Sequence, residues 1–336
     1  MRLLVALLLL LPATAHAQDQ HLLFLGNSYT AGNDLAGAVE GWLEAGYADW
    51  PDVRVERNTP GGYRLPQHLA DAEGANAQVA DWLTPGNVPW DTVILQDQSQ
   101  VPGFYETTPV WVESRDAAVA LHALIGELPA HTMLFMTWGR RTGDDTNEQV
   151  FPDFTTMQDR LRDGYMTFAA AAETDDRPVY VAPVGEAWRL VHDAIAADGT
   201  DPATEGTLFW DLYTGDGSHP SEHGTYLCAA VFFAALTGQT PVGVDAPRGG
   251  ISAKDATILQ QAAHDAVFDT ELELEWPWPE PEPTPDPTDG DDTAAGGDSD
   301  AEGCGCDQRG ATPSWLALLV LMAALRSAGS RPGRRG

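Results

Sequence analysis

The sequence predicts an α/β fold, a three-layer α/β/α sandwich around a mostly parallel sheet of about five strands. Two observations carry that expectation: short, almost wholly apolar runs recur through residues 21–269, and helical patterns separate them. A strand that is apolar throughout is covered on both faces, and a parallel neighbour is reached through a crossover long enough to hold a helix. The alternation therefore reads as one sheet between two helical layers. No internal repeat of fixed period competes with this reading.

In chain order, the predicted strands are 22–25, 53–57, 92–95, 133–138 and 179–182. Amphipathic or apolar helical patterns cover 35–47, 65–82, 110–128, 154–172, 186–197, 222–236 and 254–267. Ahead of this domain, residues 1–17 read as a secretory signal: Arg2 gives the positive start, 3–11 an apolar core, and Ala15-His16-Ala17 a small-residue cleavage site. Nine apolar residues are too few to span a bilayer. The globular part is expected over 18–270.

At Glu271 the composition changes. Residues 271–302 carry twelve acidic side chains, no basic ones and many prolines, which predicts an extended, solvated linker. The Asp289-Gly290-Asp291-Asp292 cluster lacks the spaced ligands and closing Glu of a calcium loop. The last segment, 303–336, runs from Gly303-Cys304-Gly305-Cys306 through a short apolar stretch at 315–325 to Arg326, Arg331, Arg334 and Arg335. Apolar residues followed by arginines form a stop-transfer pattern with the preceding chain outside the cytoplasm.

Across the whole chain, 18 Lys+Arg oppose 50 Asp+Glu, a net charge of −32, of which −25 belongs to 18–270. Nucleic-acid binding is excluded on that balance, since phosphates need clustered Lys and Arg. Three cysteines are too few for a disulfide scaffold of this length, and Cys228, in an apolar helix, reads as a small core residue. The scattered His122, His131, His192 and His264 have no metal-ligand spacing.

Two places can carry chemistry. The first strand ends in Gly26-Asn27-Ser28, putting Ser28 at the carboxyl edge of the sheet, where open parallel sheets bind ligands. The plainer reading is Ser28 as a helix N-cap. Asp216-Gly217-Ser218-His219-Pro220 lies in a loop before an apolar helix; a carboxylate three residues before a histidine can turn back onto its ring, leaving Nε2 free to take a serine proton. Here too a capped surface turn is the plainer reading. His223 has no equally placed carboxylate, His68 fits a packed residue better than a cleft residue, and Arg140 or Arg141, after the fourth strand, suits a surface ion pair better than a substrate contact.

At these residues the chain resembles the SGNH, or GDSL-like, hydrolases, across about residues 22–238. Gly26-Asn27-Ser28 matches the nucleophile block and Asp216-Gly217-Ser218-His219-Pro220 the block that completes the triad. Thr59-Pro60-Gly61-Gly62 stands where the family has its oxyanion glycine. The third block departs: Gln96-Asp97-Gln98-Ser99 replaces Gly-x-Asn-Asp, an ending familiar from the DUF4886-type branch, with Gln96 as the substitute amide donor. The resemblance implies a flavodoxin-like sheet and a serine esterase with Ser28, His219 and Asp216 as triad, and Ser28, Gly62 and Gln96 as oxyanion donors. It implies no metal or organic cofactor. The expected substrates are small-molecule or polysaccharide esters, with strand-end aromatics such as Trp138 and Tyr63 suited to sugar stacking. An acyltransferase with the same residues, or a silent glycan-binding module, is the alternative. The extreme C-terminus resembles a MYXO-CTERM sorting tail, which implies membrane contact, a sorting protease and display at the cell surface; an ordinary single-span anchor is the alternative.

Overall fold

Apolar runs buried on both sides become the strands of a fully parallel sheet: β1 (Gln20–Leu25), β2 (Val53–Asn58), β3 (Thr92–Leu95), β4 (His131–Phe135) and β5 (Val179–Ala182), in the order β2-β1-β3-β4-β5. This computed structural model describes residues 19–247 and 249–278. β3 and β5 are buried at every position, whereas β2, at an edge, alternates with exposed charges and pairs Arg54 with Glu56. Burial on both faces is why β3 and β5, the latter at the other edge, read as continuous apolar runs and β2 does not.

Helices occupy both faces. On one, α2 (Leu35–Gly46) and α9 (Glu222–Thr237) pack together, with α10 (Ala253–Phe268) against α9 and against α7 (Val184–Ala197). Every residue of α9 from Gly224 to Thr237 is buried, and Phe232 meets Phe24 and Phe135 edge-on at 5.3 and 4.9 Å. On the other face, α3 (Leu65–Ala70), α5 (Pro109–Ile125) and α6 (Phe154–Ala172) cover Leu23, Leu25, Val93, Leu95 and Leu134. Cys228 is buried with no disulfide, and burial pushes its thiol up.

Three boundaries differ from expectation. The helix predicted over 65–82 breaks into α3 and α4 (Ala77–Trp82), because Gly74 takes φ 117° and the Asn76 side chain caps α4 by accepting from Gln78 N–H at 3.0 Å. The fourth strand stops at Phe135 instead of reaching Trp138, although Met136 N–H still bonds the Ala182 carbonyl at 3.1 Å before the chain turns away. Past the expected end of the domain, Leu272 and Leu274 pack against the core cluster. The leader at 1–17, most of the linker and the tail at 303–336 lie outside the described residues. No helix among the described residues is long and apolar enough to cross a membrane.

Candidate active site

The order β2-β1-β3-β4-β5 reverses direction between β1 and β3, so a crevice opens at their carboxyl ends. β1 delivers Gly26-Asn27-Ser28 there. Only glycine fits at position 26, since a β-carbon would collide with Thr30 Oγ1 and stand 2.8 Å from Gln96 Oε1. Asn27, 2% exposed, caps the four-residue helix α1 (Ser28–Ala31): its side-chain oxygen accepts from Tyr29 N–H at 3.1 Å. Its amide nitrogen donates to the carbonyls of Tyr63 (2.9 Å) and Asp97 (3.2 Å), tying the β1, β2 and β3 loops together. Asn27 is thus the cap, and the Ser28 hydroxyl is left for other use.

Ser28 Oγ lies 2.9 Å from His219 Nε2, and His219 Nδ1 lies 2.6 Å from Asp216 Oδ2. The other carboxylate oxygen of Asp216 accepts from Ser218 N–H (2.9 Å), His219 N–H (3.0 Å) and Thr214 Oγ1 (2.8 Å). Asp216 therefore caps the turn and orients the ring at once. Partial burial pushes its carboxyl up, but the hydrogen bonds from Ser218, His219 and Thr214 outweigh that and hold it below the ordinary carboxylate range. An ionised Asp216 fixes the proton on Nδ1, which leaves the Nε2 lone pair for the serine hydroxyl.

The loop carrying His219 is clamped. Trp138 Nε1 donates to the Ser218 carbonyl at 3.1 Å, Tyr29 Oη lies 2.6 Å from Ser218 Oγ, and Tyr29 and Trp188 both stack on Trp138, at 4.7 and 4.2 Å. Trp138 is wholly buried, so the expected sugar-stacking role does not hold for it. From the other side, Asn33 Nδ2 donates to Pro220 O (2.9 Å) and Thr225 Oγ1 (3.0 Å). Asn33 itself takes φ 47°, a conformation asparagine tolerates better than most residues. Nothing in the sequence spacing signals either clamp.

Gln96 is at the predicted strand end, but in a different posture from the one expected. It is 1% exposed, its Oε1 accepts from Asn27 N–H (3.0 Å) and Thr30 Oγ1 (2.9 Å), and its Nε2 donates to the Asp97 carbonyl. The amide braces the turn that carries Ser28. Gly62 sits at φ 72° in an exposed turn, beside the Tyr63 carbonyl that Asn27 holds. Among the described residues, the backbone N–H groups of Ser28 and Gly62 have no acceptor.

His68 is wholly buried with Nε2 2.9 Å from the Gly26 carbonyl, and burial pushes its pKa down to about 4. The ring is neutral and donates to the residue two before Ser28. Arg140 pairs with the buried Asp144 at 2.6 Å, as a structural ion pair, while His223 faces Asp255 of α10 at 3.9 Å.

No family model matches the chain, and no curated protein matches it. Solved structures do. A DUF4886 family protein from Bacteroides uniformis is similar with a TM-score of 0.56 and 18% identity, over 77% of this chain and 100% of that one. A Slackia heliotrinireducens protein assigned to the SGNH hydrolases is 26% identical with a TM-score of 0.46, over 64% and 98%. An acetylxylan esterase from Geobacillus stearothermophilus is 18% identical with a TM-score of 0.41, over 65% and 94%. The Bacteroides likeness establishes a shared fold.

Proposed function

We propose that this protein is a serine hydrolase of ester bonds, with O-acetyl groups on carbohydrates or small acyl esters as substrates. The observation that carries the proposal is the continuous relay from Ser28 Oγ to His219 Nε2 at 2.9 Å and from His219 Nδ1 to Asp216 at 2.6 Å, at the switch point of the sheet. Ser28 attacks the acyl carbonyl as its proton passes to His219, and Asp216 stabilises the imidazolium. His219 returns the proton to the leaving alcohol and then takes one from water, whose hydroxide releases the acyl group. The unspent N–H groups of Ser28 and Gly62 receive the oxyanion, and Gln96 acts behind them by holding the turn. The SGNH-type and DUF4886-like solved folds agree with this reading.

The test is an ester panel on wild type and Ser28→Ala, with a fluorophosphonate probe. Wild type should label and cleave, while Ser28→Ala loses labelling and on the order of 10³-fold or more in kcat. An unlabelled folded wild type, or cleavage that survives Ser28→Ala, would overturn the reading. We also propose export, with the tail as a cell-surface sorting signal; both rest on sequence alone, and fractionation of cells carrying the full chain tests them.

A further inference from the structure

In a chain with 50 acidic and 18 basic residues, arginines have carboxylates to spare, and those of the described surface mostly sit on one. Arg141 does not. It follows the β4 end, and its N–H donates to the Gly217 carbonyl at 2.9 Å, inside the Asp216–His219 loop. Its guanidinium carbon lies 3.4 Å from the centre of the Trp210 ring and 5.8 Å from that of Tyr213. Nε and Nη1 are buried with no hydrogen-bond partner. Nη2 borders Gly217, where a β-carbon would stand 3.3 Å away. Arg177, which also lacks a carboxylate, instead donates to the Ala130 carbonyl at the opposite end of the sheet.

A guanidinium that is partly desolvated and unpaired is costly, and stacking on Trp210 offsets only part of that cost. The position is fixed by the stack, adjoins the loop that carries His219, and presents a planar fork of donors that suits a carboxylate. Resting on the hydrolase reading, we propose that Arg141, set by Trp210, is a specificity-determining residue that takes a carboxylate of the ester substrate through Nη2. The acidic domain repels polyanions, so the fit is to a substrate with one carboxylate close to the scissile ester. That carboxylate belongs either to the sugar, as in an acetylated uronate, or to the acyl group, as in a hemisuccinate.

Three methyl glycoside esters separate these cases: O-acetyl glucuronide, O-succinyl glucoside and the neutral O-acetyl glucoside. Wild type should favour one anionic ester over the neutral one by roughly tenfold or more in kcat/KM, carried by KM. Arg141→Gln should bring that ratio close to one, and Arg141→Lys should restore part of it. No preference in wild type, or equal losses on all three esters in Arg141→Gln, overturns the proposal. Calorimetry of methyl glucuronide and free succinate on Ser28→Ala, with and without Arg141→Gln, keeps the two readings apart. Arginine-dependent binding with no ester cleaved keeps the subsite and removes the hydrolase. Neutral esters cleaved without anionic preference keep the hydrolase and remove the subsite.

Discussion

Two buried ionisable side chains, His68 against the Ser28 turn and Asp97 at the end of β3, titrate in opposite senses. His68 donates to the Gly26 carbonyl and sits near pKa 4 against an ordinary 6.5, so its contribution to stability is intact above pH 6.5 and is lost as the pH falls towards 4. Asp97 accepts from Leu65 N–H (3.0 Å) and Gln98 N–H (2.8 Å), and burial pushes it up to about 6 from 3.8. Its contribution is intact below 3.8 and is lost as the pH rises through 6. Each full swing is on the order of 3 kcal/mol, so in wild type the two nearly cancel. Relative to wild type, His68→Gln should gain denaturant resistance as the pH is lowered between these limits, and Asp97→Asn should gain it as the pH is raised. Parallel pH profiles for the two variants would show that neither group titrates as described. At this scale residue type and strand-end placement sufficed to single out Ser28, Asp216 and His219, which the fold brings within hydrogen-bond reach of one another. The sequence hid the posture of Gln96 and the isolation of Arg141, because a side chain's rotamer and neighbours depend on packing between distant segments.

Between elements, glycines mark the closest approaches. Gly164 of α6 lies against the Pro102 carbonyl in the turn after β3, where a β-carbon has no room. Gly164→Ala should therefore push α6 from that turn and cost about 1–3 kcal/mol, read as a lower denaturant midpoint with an unchanged slope. An unaltered midpoint would mean the two elements separate freely. Strand positions were legible because interior parallel strands are apolar on both faces, and the broken 65–82 helix was not, because its apolar spacing continues past the Gly74 kink. The short helices α1 and α8 (Leu208–Asp211) have too few residues for any periodicity to register.

Over the whole molecule, the −25 of residues 18–270 is self-repulsive charge, and many of its carboxylates face solvent without a cation. Screening shortens the range of that repulsion, so raising NaCl from about 0.01 to about 0.3 M should raise the melting temperature. A steady fall with salt would show that the surface ion pairs outweigh the repulsion. Composition made this property readable in advance, since net charge needs no coordinates.

Ser28 and His219 stand 191 residues apart, at opposite ends of the fold's chain order. Ser28 leaves the ribosome with the first strand, whereas its hydrogen-bond partner His219 arrives only after β5 and α7 have been made. During most of its own synthesis the chain consequently carries Ser28 without the His219 contact. On the proposed reading its reactivity switches on once, with the docking of the His219 loop, and a truncation anywhere before that loop leaves a chain without the Ser28–His219–Asp216 relay.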